Sequence, residues 1–434
     1  MTLNTTLPID HEAITERSCR LGEPGWLTEQ RVKGLQLASE IALPKLTKMR
    51  IDRWKLDAYG EYTEDSQTES IEALLDASGF PIGENGVDNI LVQQNSSVIY
   101  TSLTTELAEK GVIYTDLATA AKEHGDLVQK YFFKTMSANE NQLLALHSAL
   151  WNGGVFLYVP KNVTVQIPLR AIFLSDRKGA ALAPHVLVIA EEGSSVSYVE
   201  NFISAGTSSE LVVNAAVEVF VGQGAKVRFA SIHSFEEAVT DISYRRAVLE
   251  RDAKIEWVIG EMNSGNGVSD TTNYLNGSGS SADVKVICVG DKEQKLNLTT
   301  RNIHVGKATK SDMSTRAVIL ESATAIINGI TKIEKGATGA NGQQTEKVLM
   351  LSRTARGDAN PILLIDEDDV IAGHAASVGQ VNPDQIYYLM SRGLPKAEAE
   401  RLVIYGFLAP VVAKLPLPEL ENQFRQLVER KLGQ

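Results

Sequence analysis

The feature that most constrains this chain is a repeat along its middle. Four short units, each a turn-forming cluster leading into a strand, end at Val196 ("GSSV"), Val227 ("GAKV"), Ile255 ("DAKI") and Val284 ("SADV"), at separations of 31, 28 and 29 residues. A strand-rich period of roughly 20 to 50 residues marks an array in which each unit buries its apolar face on the next. Helical crossovers are missing between the strands, which disfavours a doubly wound sheet, and no WD or kelch signature supports a propeller. The pattern predicts a mainly β fold, a right-handed parallel β-helix over about residues 155 to 378, with Val196, Val227, Ile255 and Val284 in one interior column. Both ends of such a rod are open edges that must be capped.

The flanks read differently. Residues 1–150 form a mainly helical region, 151–381 the β-helix core and 382–434 a second helical region. In the first, "GEPGWLTEQRVKGLQLASEIALP" has helical spacing and stops at proline, while "DNILVQQNSSVIYT" reads as a strand hairpin. In the last, Asn382 is placed as a helix N-cap, Pro383 as the first helical residue and Gly393 as a stop. The segment from Leu402 to Leu415 is apolar almost all round, so it needs cover on more than one side. A stripe of Leu420, Phe424, Leu427 and Leu432 supplies one cover, and a partner protein can supply another.

Charge and cysteine content narrow the function. A net charge of -12 argues against nucleic acid, whose phosphates demand a Lys and Arg excess. The N-terminus lacks the pattern of a signal peptide and no window has the apolar length of a membrane span, so a cytoplasmic location is expected. Cys19 and Cys288 are too far apart in sequence for a disulfide framework and too few for a four-cysteine metal site, so metal chemistry would need ligands from a partner. "HVGKAT" is no phosphate loop: Arg301 stands where the first glycine belongs and Ala308 where Ser or Thr should follow the lysine. ATP hydrolysis, if it drives this protein, belongs to another chain.

Several stretches carry a family likeness: "GEPGWLTEQRVKGLQLA", "IDRWKL", "LLALHSALWNGGVFLYVPKNV", "VLMLSRTARGDANPILLIDEDDV" and "HAASVGQVNPDQIYYLMSRGLPKAEAERLVIYGFL". On these the chain resembles the SufB/SufD family of iron-sulfur cluster assembly scaffolds, over nearly its whole length. Length and the "HAASVGQ" form favour the SufD side of this likeness, since SufB usually has glutamate after that histidine. The resemblance implies a β-helix between helical ends and a non-enzymatic role in iron acquisition. It further implies pairing with SufB through the late strands, and docking of a SufC ATPase on the C-terminal helices, with Leu402, Tyr405, Phe407 and Leu408 at the contact. Iron or an iron-sulfur cluster would be held transiently and shared with SufB. An isolated chain could pair with itself.

His374 is the metal-ligand candidate, in "DVIAGHAASVGQ" behind the acidic run Asp366, Glu367, Asp368 and Asp369. On residues alone it is first a polar cap of the last coil, and the acidic run a solvated turn. The resemblance adds the metal role, because a neutral imidazole ligates iron readily. Some relatives carry a cysteine two positions earlier; here that position is Ala372, so only the histidine is available. His147, His233 and His304 read as structural, and Cys288, within "VKVICVG", as core filler. Two other readings compete: a β-helix enzyme acting on polysaccharide, disfavoured by the missing export signal and few aromatics, and a homodimeric SufB-like scaffold, disfavoured by cysteine poverty.

Overall fold

The structure, a computed structural model, describes residues 9–64, 70–77, 86–206, 210–413 and 418–432. Two sheets run through it, of ten and nine strands, and from Val155–Val159 onward the chain alternates between them strand by strand. From Val155–Val159 to Val370–Gln380 each strand pairs in parallel with the strand two further on. The result is a parallel β-solenoid of about eight turns.

The turn clusters are its corners. Gly193 and Gly224 hold φ of 68° and 65°, a region glycine enters freely, and Asp252 takes φ 56° at the equivalent corner. Register puts Val196, Val227 and Ile255 side by side as expected, but their next neighbour is Ala282. The fourth unit is therefore "GSSA", two residues earlier than the spacing of β-branched residues indicated. An alanine fills the column there and Gly279 makes the corner with φ 73°. Val284 still faces the interior, in the next column beside Trp257. That column runs Tyr198, Phe229, Trp257, with ring centroids 4.8 and 4.6 Å apart. Each such aromatic pair adds about 0.5–1.5 kcal/mol to its area burial.

The N-terminal region caps one end. The hairpin of Ile90–Gln94 and Ser97–Ser102 forms as expected, then extends the ten-stranded sheet by pairing in parallel with Leu169–Ser175. Ile113–Asp116 closes the other sheet, antiparallel to Val155–Val159. Helix Gly25–Glu40 lies against helix Gln142–Leu150. Contact is close at Gly34, where a Cβ would come within 2.9 Å of Ala145 and Ala149 backbone atoms. Buried Arg31 pairs with Glu23 at 2.7 Å and donates to the carbonyls of Ala149 and Trp151 at 3.1 and 2.9 Å. The "GEPGWLTEQR" stretch thus ties the first helices to the entrance of the solenoid.

The C-terminal helices Pro383–Ser391, Lys396–Val412 and Pro418–Lys431 do not cap the other end. Asn382 caps the first, its Oδ1 accepting the Asp384 N–H at 2.9 Å, and Gly393 ends it with φ 96°. The other two fold back along the outer face of the ten-stranded sheet. Ile404, Leu408 and Val411 pack there with Val199, Ile232, Val258 and Ile287, while Phe424, Leu427 and Val428 close the cluster. The apolar helix therefore gets its second cover from the solenoid flank itself. This also explains why "VKVICVG" is apolar without alternation from Val286 onward: both faces of the strand are buried there. Lys431 pins the last helix by an ion pair to Asp291 at 2.6 Å and a bond to the Asn263 carbonyl. Leu415 and the side chain of Leu420 lie outside the described residues.

Candidate metal and partner surface

The terminal strands Arg356–Ile365 and Val370–Gln380 each have a neighbour on one side only. They present a row of unpaired peptide groups, the usual template for pairing with another chain. Their apolar side chains are also uncovered: Ile362, Leu364, Ile365 and Val378 are exposed, and Ile371 is 64% exposed. His374 sits in the middle of the outermost strand. It stands beside Gln344 in register and so shares the interior-facing side of the sheet, yet it is exposed because no further coil covers it. Ala372, the position of the missing thiol, packs near Ile333, Ala337 and Ala340.

The acidic run is the corner between these two strands and not a partner of the histidine. Glu367 accepts the Gly336 N–H at 2.8 Å, which holds its carboxyl below the ordinary range with help from the Asp368 N–H and Lys335. At about 3.3 Å per residue, the corner is more than 13 Å from His374 along the strand.

His147, His185, His233 and His304 are engaged inside the fold. His304 lies 2.8 Å from both Thr309 Oγ1 and Ser311 Oγ, and burial pulls it down to about 4. His147 bridges the Asn214 carbonyl and His185, at 2.8 and 3.0 Å. His233, Asp241 and Glu261 come close enough to share a metal ion, their ligand atoms within 4.8 Å of one another. Chemistry argues against one. Arg245 lies 2.6 Å from His233 Nε2 and can only donate, so that nitrogen accepts, and the ring proton faces Asp241 from Nδ1, 2.7 Å away. Both ring nitrogens are occupied beside a buried cation. Cys288, next in that column, is fully buried, and burial pushes its thiol up, with Glu261 adding to the effect.

The expected docking residues differ in exposure. Leu402 is 46% exposed. Leu408 is fully buried against the solenoid flank and is not a contact residue, because its side chain is spent on holding the helix down. Tyr405 and Phe407 are half-buried: Tyr405 Oη donates to Glu429 at 3.0 Å, and the Phe407 ring lies 5.3 Å from the Arg316 guanidinium. A larger free apolar surface is on the preceding helix, where Tyr387, Tyr388 and Met390 are all exposed. The sequence reading placed that helix but did not single out its aromatics. It also passed over Glu346, a buried carboxylate one coil inward from His374.

The description "SUF system FeS cluster assembly, SufBD core domain" matches residues 173–407, and "SufBD protein N-terminal region" matches 87–171. The chain belongs to the SufBD family. The iron-sulfur cluster assembly protein SufD of Bacillus subtilis is 47% identical over 442 aligned residues, covering all of both chains. A SufBD family protein of Staphylococcus epidermidis is 30% identical, covering 93% of this chain and 89% of the relative. As a SufBD protein the chain is an iron-sulfur cluster assembly protein of the SUF system. No helix among the described residues of this SufBD chain is long and apolar enough to cross a membrane.

Proposed function

We propose that the chain is the non-catalytic SufD-type subunit of a complex with a SufB-type partner and a SufC-type ATPase, working in the cytoplasm. The terminal strands pair with SufB, residues 382–434 dock SufC, and His374 faces the shared interface as an iron ligand. Iron, or a nascent cluster, is the cargo. The observation that carries this reading is the uncapped end of the solenoid, where an inward-facing histidine stands on an unpaired apolar edge. The other end is closed by the N-terminal hairpin, so the openness is specific to the end that carries His374.

The chain has no nearby thiol, so sulfur ligands come from SufB while this chain adds nitrogen and oxygen donors. Tyr387, Tyr388, Met390 and Leu402 provide the anchors for SufC, an exposed aromatic and aliphatic set of the sort that dominates interfaces. Movement of SufC would reach the edge strands because the first docking helix follows Val370–Gln380 after a two-residue link. Without SufB, the same edge can pair with a second copy.

The test is anaerobic co-purification with SufB and SufC, comparing wild type with His374→Ala. The side chain is exposed and supports no packing, so complex yield stays the same while iron per complex falls severalfold. Unchanged iron in intact complex would refute the role of His374.

A further inference from the structure

Glu346 is a carboxylate without a visible purpose in the fold. It is 2% exposed, and the one donor near it among the described residues, the Gly329 backbone N–H, does not reach hydrogen-bond geometry with either oxygen. A buried carboxyl in that state costs stability, so packing alone does not account for it. Its place in the lumen is built to admit it. Across the solenoid stands Gly329, and a Cβ there would overlap Glu346 Oε1. Gln344 Oε1 lies 3.3 Å from the same point, and its only hydrogen bond is from Thr331 Oγ1 at 3.1 Å.

The last coil continues this arrangement. Ala376 stands over Glu346 in register, and His374 stands over Gln344. Only the methyl of Ala376 stands over the buried carboxylate on the side of the open end. With strands about 4.8 Å apart and two residues about 6.6 Å along, His374 and Glu346 are diagonal neighbours on one face, about 8 Å between Cα atoms. Side chains of their length converge over such a span.

We infer that Glu346, with the side-chain oxygen of Gln344 and the ring of His374, forms a mononuclear site for a divalent cation of the ferrous or manganous class inside the last coil. The inference rests on the reading of His374 as a metal-facing residue and adds ligands to it. Two oxygens and one imidazole nitrogen suit Fe2+ or Mn2+, whereas a sulfide cluster is held by thiolates, which this coil lacks. The site therefore holds a single metal ion, upstream of cluster formation.

The experiment titrates Mn2+ into the isolated chain, read by loss of the free-ion EPR signal, for wild type, Glu346→Gln, Gly329→Ala and His374→Ala. Melting temperature and iron per SufB–SufC complex are measured on the same variants. Wild type binds one Mn2+. Glu346→Gln weakens that binding at least tenfold with a melting temperature unchanged or raised, because the variant removes an unsatisfied buried charge. Gly329→Ala weakens it similarly by displacing the carboxylate. The inference is overturned if Glu346→Gln binds Mn2+ like wild type, or if wild type binds none. It is also overturned if Glu346→Gln lowers the melting temperature and leaves Mn2+ binding intact, the mark of a structural residue. Iron per complex that falls in His374→Ala but not in Glu346→Gln would sink this inference and leave the proposed function standing. Mn2+ binding lost only in Glu346→Gln and Gly329→Ala, with iron per complex unchanged in His374→Ala, would overturn the three-ligand site and the proposed role of His374 together.

Discussion

Leu408→Ala separates the packing face of the C-terminal helices from their free face. Leu408 is fully buried in the cluster formed by Ile404, Val411, Phe424, Leu427 and the outer face of the ten-stranded sheet. Truncating a buried leucine costs 2.7–5.0 kcal/mol in a rigid core, and a docked helix can shift to shrink the cavity, so the lower figure, about 3 kcal/mol, applies. That is about a hundredfold in the equilibrium for lifting the helices off the solenoid. The loss is local, because the helices share this cluster with the sheet while the interior columns form a separate core. Native-state hydrogen exchange should therefore show protection falling about a hundredfold for amides in Lys396–Val412 and Pro418–Lys431, with the interior strands unchanged. Tyr388→Ala, on the free face, should leave all protection as it is and weaken SufC binding. If the loss spread evenly over the solenoid, or the two variants behaved alike, the assignment of Leu408 to packing would be wrong.

Three further outcomes are expected. Ile371→Ser should leave the melting temperature of the isolated chain unchanged but weaken association with SufB, measured by calorimetry, by roughly 5- to 30-fold, since covering the 64% of this side chain that is exposed is worth about 1–2 kcal/mol. Asp270→Asn should destabilise by about 3 kcal/mol at neutral pH, because it strips the shared partner from Arg246 and Arg301, 2.8 and 2.7 Å away. Burial alone would raise the Asp270 carboxyl, but the two arginines outweigh it and hold it below the ordinary range. The gap between variant and wild type in urea unfolding should then be full above about pH 4 and close as pH falls through the depressed value; a gap that widens in acid would contradict the assignment. Native protein should react with a thiol reagent once, at exposed Cys19, and twice after unfolding, because Cys288 is buried; two fast native thiols would refute that burial.

Much of this architecture was legible in the one-dimensional pattern. A solenoid repeats the same corner, and a corner that needs a left-handed residue selects Gly193, Gly224 and Asp252, so the period is written in turn chemistry. Caps and stops such as Asn382 and Gly393 are equally local, since each acts on peptide groups within a few residues. The limits appear where the same residue type serves two faces. The fourth unit slipped by two residues because Ala282 fills its column without a β-branched signature, and Val284 faces the same interior. Leu408 and Leu402 lie on one apolar stretch, and only docking on Ile232, Val258 and Ile287 decided which was buried. His374 could be named from the sequence, but its openness depends on a missing neighbour strand. Glu346 could not be singled out at all: an isolated Glu in a strand is ordinary until the coil opposite leaves its two oxygens unpartnered beside Gly329. Local chemistry sets where the chain turns, and so the sequence determines the fold; what each side chain meets across the lumen or along the flank depends on residues a coil or more away, and only the tertiary structure decides it.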